Sequence, residues 1–177
     1  MKLRLSLLTI SLCLVVFGSA QGQDPSDLKG DPETLKLLER GSKSYLAGEY
    51  KQAISPYQKA LDREKANRTL SDTVWRVMVD NLGMAYGISG DLKKAKETFD
   101  YGLSKDPKYP LFSYNMACTY AEMNDVDNAI KFLQQAFQYK ENMIKGETFP
   151  DPWTDDSFQR FMKNDKFVSA LKEMSRN

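Results

Sequence analysis

From Asp31 to about Lys145, apolar residues recur at intervals of three and four, β-branched runs are absent, and short polar or glycine-containing breaks interrupt at similar distances. With 3.6 residues per turn, that spacing gives each of a series of short helices one apolar stripe. Val79, Leu82 and Tyr86 form one such stripe, and Ala95 and Phe99 begin another. The first helix is expected at Asp31-Pro32. The Asp side chain caps free backbone N–H groups, and Pro at the first helical position lacks only a donor that would have no partner.

The breaks repeat in register. Gly41, Gly83 and Ala117 fall in the first helix of successive pairs, Ala53, Ala95 and Ala129 follow in the second, and Ala60, Gly102 and Ala136 come after them. Each series steps by 42 residues and then by 34. Small residues recur where two helices cross closely and a larger side chain would force them apart. A period of about 34 residues belongs to a helix-turn-helix repeat.

The middle unit carries Leu82-Gly83, Tyr86, the turn Gly90-Asp91-Leu92, then Ala95, Phe99 and Pro107, with Val79 where Trp is usual. With these residues the chain resembles the tetratricopeptide-repeat family. The first unit shows Gly41, Gly48-Glu49-Tyr50, Ala53, Tyr57 and Ala60, and departs at Arg40 and Ser44. The third runs Tyr114-Asn115-Met116-Ala117-Cys118-Thr119-Tyr120-Ala121, turns at Asn124-Asp125-Val126, and continues through Ala129, Leu133 and Ala136, with Glu141 in place of the closing proline. The resemblance implies an all-α, right-handed solenoid of three units, at about residues 34–67, 76–109 and 110–143 within 31–145.

Eight extra residues separate units one and two, around Asn67 to Thr73. Either the flanking helices are longer or a loop protrudes, and Ser71-Asp72 favours a turn followed by a capped helix. Asn67-Arg68-Thr69 is also a glycosylation acceptor pattern, of consequence only in a eukaryotic source. Residues 146–177 break the repeat and read as a cap for the last exposed apolar face. Asp151-Pro152-Trp153 makes a turn, and Trp153, Phe158, Phe161, Phe167 and Leu171 form a small core on short helices divided at Asn164-Asp165.

The start of the chain has a different pattern. Lys2 and Arg4 precede an apolar run from Leu5 to Phe17, ending in Gly18-Ser19-Ala20. Residues 1–20 read as a secretory signal peptide cut at Ala20/Gln21, followed by a polar leader over residues 21–30. The run is short of the ~20 apolar residues of a membrane span, and Cys13 lies inside it rather than at the junction, which argues against a lipid anchor. The expected location is periplasmic or secreted, or the secretory pathway in a eukaryote.

Lys and Arg number 25 against 24 Asp and Glu, and taking away Lys2 and Arg4 leaves 23 basic residues. A near-neutral chain has no basic footprint for nucleic acid. With no histidine in the chain, imidazole nucleophile activation and histidine metal sites are closed. Cys118 is left without a cysteine partner after cleavage and reads as a buried small hydrophobe. Asp155-Asp156 could serve acid-base chemistry, but both stand at an expected helix start, where carboxylates are favoured by the helix dipole. The expectation is therefore a protein with no catalytic residues, metal or cofactor.

The resemblance implies that the first helix of each unit lines an inner face that holds polypeptide. The matching positions are Leu38, Ser42 and Tyr45, then Asp80, Met84 and Gly87, then Tyr114, Cys118 and Ala121, bordered by Asn81 and Asn115. Family members that grip chaperone C-termini use basic and asparagine side chains there. This chain has Leu38, Leu111 and Asn115 at the basic positions and Ser42 for an asparagine, so only Asn81 agrees. The expected partner is an unidentified protein or peptide. Self-association through the groove or an end face is a second arrangement, and a histidine-independent hydrolase or accessory subunit built on Asp155 and Asp156 a third. Intact-mass measurement on protein from its own source should find an N-terminus near Gln21 and no lipid. Retention of Met1 would overturn the export reading.

Overall fold

The computed structural model describes residues 29–176. The expected signal peptide, residues 1–20, and residues 21–28 of the expected leader lie outside the described residues. Within them the chain forms α1 (Pro32–Leu46), α2 (Tyr50–Ala66), α3 (Asp72–Ile88), α4 (Leu92–Lys105), α5 (Pro110–Glu122), α6 (Val126–Gln138), a 3-10 turn (Lys140–Asn142), a 3-10 helix (Asp156–Phe161) and α7 (Asp165–Met174). No strand occurs among the described residues. Each of α1 to α6 packs on its sequence neighbours, and the first helices also touch one another, α1 on α3 and α3 on α5. This is a tetratricopeptide-type solenoid of three helix pairs closed by a C-terminal cap.

The small-residue series fall where the helices meet. A Cβ placed on Gly41 would lie 2.7 Å from the Tyr57 ring, and one on Gly83 2.5 Å from the Phe99 ring. In the third unit Ala117 and Leu133 hold the equivalent places, both fully buried. The third pair thus trades a gap and a ring for a methyl and a branched chain. Ala53, Ala60, Ala95, Ala129 and Ala136 have no exposed surface. Gly102 repeats the device between units two and three, since a Cβ there would meet the Phe112 ring at 2.9 Å.

The turns inside the pairs are also equivalent. Gly48, Gly90 and Asn124 have φ of 74°, 90° and 61°, a left-handed region that Gly enters freely and Asn better than most residues. Asp91 and Asp125 then cap α4 and α6 by accepting from Lys94 N and Asn128 N. Asp31 caps α1 through Thr34 N and is bridged by Arg63 at 2.7 Å.

The eight extra residues lengthen the helices, with only a short turn between. Helices α2 and α3 have 17 residues each, against 13 to 15 in the other repeat helices. The turn between them is held by Glu64, whose carboxylate accepts from Thr69 N, Thr69 Oγ1 and Leu70 N, and Ser71 caps α3 through Val74 N. The extra turn of α3 carries Trp75, buried edge-on against Phe112 at 5.8 Å. It lies one turn before Val79, the position where the sequence lacked the family's Trp.

The cap follows the expected division at Asn164, which accepts from Phe167 N, although its first segment is a 3-10 helix. Phe158, Phe161, Phe167 and Leu171 join the core of the third unit. Trp153 does not. It is 36 % exposed, and its indole N–H donates to Ser175 Oγ at 3.4 Å. The polar turn at Asp151 turns the ring outward and leaves Phe149 to pack on the third unit instead.

Gly83→Ala and Ala95→Leu each force a side chain into a filled crossing and should cost about 1–3 kcal/mol. Lys93→Ala, on an exposed face, should stay within roughly 0.5 kcal/mol. Chemical denaturation of the three variants checks the register, and equal losses would contradict it.

Candidate functional site

The first helices bring the eleven expected groove residues onto connected positions of α1, α3 and α5; Gly87 is half-buried and the other ten are buried, none of them more than 7 % exposed. Their polar groups bond within units and across unit boundaries. Ser42 Oγ and the Tyr57 hydroxyl lie 3.0 Å apart, and Asn81 Nδ2 donates to the same hydroxyl at 3.3 Å. The Tyr45 hydroxyl donates to Met84 Sδ at 3.4 Å. Asn115 Nδ2 donates to Asp80 Oδ1 at 2.7 Å, joining unit three to unit two. Leu38 belongs to the apolar core under α1. These side chains tie each unit to the next, and a partner reaches them only where the groups covering them move.

On the third unit those covering groups come from the chain itself. The Tyr114 hydroxyl donates to Asp155 Oδ2 at 3.0 Å, and Cys118 Sγ is 3.9 Å from the same oxygen. Phe149 and Phe158 meet the Tyr114 ring edge-on at 5.7 and 5.8 Å. Nearer unit two, the Tyr109 hydroxyl donates to Glu147 Oε1 at 2.7 Å, and Glu147 Oε2 accepts from Ile144 N. Residues 143–155 thus run without helix or strand past the inner side of α5. At their end the 3-10 helix packs on α5, and Arg160 bonds Glu122 at 2.7 Å.

Asp155 is buried and caps the 3-10 helix through Ser157 N, while Asp156 is exposed. The two carboxylates do not converge on a shared site, as the capping reading expects. A small cavity of about 20 Å³ lies on the inner face beside Met84, Gly87, Asn115, Cys118 and Ser157. It has room for about one water. The Ser157 side chain is buried there against the Cys118 thiol.

Burial governs the ionisation of this face. It pushes the Asp80 carboxyl up to about 7; the hydrogen bond from Asn115 opposes the shift and the charge of Glu147 adds to it. Glu147 is raised by its own burial, against hydrogen bonds from Tyr109 and Ile144. Burial, then the charge of Asp155, raises the Cys118 thiol, so it is a neutral thiol at pH 7, short of the thiolate that nucleophilic chemistry requires. Tyr114 is raised by burial and by its neighbours Cys118 and Asp155.

The sequence reading missed Tyr57, Tyr109, Glu147 and Phe149 as parts of this face. Tyr57 already stood in the repeat motif as a packing position, and its hydroxyl is what extends it to the inner side. Glu147 and Phe149 lie beyond the repeats, and no periodic signal marks them.

Comparison with known proteins fits this geometry. A family model described as tetratricopeptide repeat matches residues 79–109 and 112–143, the second and third helix pairs. Among curated proteins the chain is similar to the heat-shock protein cognate (HSC) co-chaperone sgt12 of Aspergillus fumigatus. The two are 27 % identical over 124 residues, 70 % of this chain and 34 % of the relative. The chain thus spans about a third of that relative's length. Among solved structures, the Sgt2 TPR domain from Aspergillus fumigatus gives a TM-score of 0.57 at 22 % identity, covering 88 % of this chain and 89 % of that one. PcrH from Pseudomonas aeruginosa gives 0.53 at 15 % identity, covering 88 % and 96 %. At these identities the solved structures speak for the fold.

Asp80 also sets a pH dependence. Its folded pKa lies above the unfolded value of 3.8, so its contribution to stability is complete below about pH 4 and is lost as pH rises towards 7. Asp80→Asn keeps an acceptor for Asn115 and removes the buried charge. It should gain on the order of 2 kcal/mol over the native chain at pH 8 and be nearly neutral at pH 4. Denaturation at the two pH values checks this, and an equal effect at both would contradict the burial of a titrating carboxyl.

Proposed function

We propose that this chain, a member of the tetratricopeptide-repeat family, is an exported interaction module that binds a polypeptide on the inner face of its helix pairs and carries out no chemistry of its own. The observation that carries the reading is the stack of first helices. It aligns Tyr, Asn, Asp and Met side chains along one face, a composition that suits peptide contact. Export rests on the pattern of residues 1–20. Among the described residues no helix is long and apolar enough to cross a membrane.

The similar co-chaperone raises one specific reading, a chaperone C-terminus as partner. The residues on this face do not favour it. Leu38 and Leu111 are apolar where a carboxylate-gripping face needs cations, and Asp80 with Glu147 makes the middle of the face acidic when ionised. A chain-terminal carboxylate placed beside Asp80 would be repelled there, and Leu38 and Leu111 offer it no compensating charge.

Gly87 offers the place for a test. It is half-buried on the inner side of α3, and a Cβ placed on it would find Ala95 Cβ nearest, at 3.8 Å. A photo-cross-linking residue at Gly87 should capture a polypeptide from the protein's own compartment, and the same residue at Lys93 or Lys131 should not. Capture from the two lysine positions with none from Gly87 would move binding to the outer surface.

A further inference from the structure

The inner face of the third unit already holds a peptide-like segment. Residues 143–155 form an irregular stretch between the 3-10 turn and the 3-10 helix, and non-helical connections of about 12 residues or more inside a compact domain are commonly lids or binding loops. The segment makes the contacts an extended ligand would make. Glu147 takes the Tyr109 hydroxyl, Phe149 lies against Tyr114 and Phe137, and Asp155 takes the Tyr114 hydroxyl. Its backbone–backbone hydrogen bonds are short-range turns, such as Glu147 N to Ile144 O and Thr154 N to Asp151 O. What holds it is therefore its side-chain contacts with α5 and α6, the Trp153–Ser175 hydrogen bond to the end of α7, and the chain at either end. Glu147 and Phe149 are only half-buried, whereas Phe158 and Phe167 beyond them are sealed in the core. The segment can thus lift while the cap stays seated.

We infer that residues 143–155 are a built-in ligand: they occupy the inner face of the third unit, and a partner segment that presents an aromatic side chain flanked by carboxylates displaces them and takes the same contacts. This rests on the inner face being the binding face, and it names the partner's chemistry. An acid-bearing aromatic segment reproduces the contacts with the Tyr109 hydroxyl, the Tyr114 ring and the Tyr114 hydroxyl. Because the segment is tethered, it competes at high effective concentration, so the free face is a minor state that a partner must select.

Cys118 reports directly on the covered state, since its buried thiol lies beneath Asp155. In the full chain carrying Cys13→Ser, the rate of Cys118 labelling by an aromatic disulfide reagent measures opening. Glu147→Ala with Phe149→Ala weakens only the segment's hold and should raise that rate at least tenfold. A synthetic peptide of residues 143–155 should bring it back down, and the same peptide with Phe149 and Glu147 as Ala should not. If the double variant fails to fold, the Cys13→Ser chain decides through its denaturant dependence. A slope well below that of global unfolding means local lifting, and an equal slope overturns the inference. Unchanged labelling in a folded double variant, or no protection by the peptide, also overturns it. Failure to capture a partner from Gly87 while these results hold would count against the proposed function and leave the occupied face standing.

Discussion

The contact on which the rest depends is the crossing of two helices at a missing side chain. In the first two units Gly41 and Gly83 leave gaps that the rings of Tyr57 and Phe99 fill. A Cβ in either gap would stand closer than 3.0 Å to the ring, so the helices approach as far as bare backbone permits. That approach sets the angle at which one pair hands on to the next and turns the first helices to a common side. Gly102 against Phe112, and Trp75 edge-on to the same ring, carry the constraint across the boundary between units two and three.

The inner face that results is close-fitting, and its polar groups are nearly all engaged. Ser42, Tyr57 and Asn81 join units one and two, Asp80 and Asn115 join two and three, and Tyr114 and Asp155 join three to the cap. A buried polar group without a partner costs about 1–3 kcal/mol, so these pairs fix the register of stacking as well as adding to its stability. Asp80 is the exception in kind. It has a hydrogen bond from Asn115, no cation beside it among the described residues, and Glu147 close enough to raise its pKa. A carboxyl in such a place costs stability above neutral pH.

The fold was legible because it is periodic. Three registered series of small residues, the capped turns at Asp91 and Asp125, and Asp31-Pro32 at the first helix follow from local chemistry that repeats. The same logic located the inner face. It did not reveal that the face is covered. Glu147, Phe149 and Asp155 act through contacts 38, 35 and 41 residues away, with Tyr109, Tyr114 and Tyr114 again, and a pairing made once across such a distance has no period to betray it. Trp153 misled for a related reason. Its bulk argued for burial, whereas the turn at Asp151 decided its direction. The lengthened α2 and α3 were one of two arrangements the sequence allowed, and the burial of Trp75 and of Glu64 beneath the turn shows why the helices extend.

If the third unit is closed by the chain's own segment, the Tyr114 hydroxyl and the Asp155 carboxylate must be coupled in solution. A double-mutant cycle on Tyr114→Phe and Asp155→Ala, read from denaturant unfolding, isolates that pair, because the capping role of Asp155 cancels between the two arms. The expected coupling is about 1 kcal/mol or more. Additivity within about 0.3 kcal/mol would mean that the segment does not rest on the inner face.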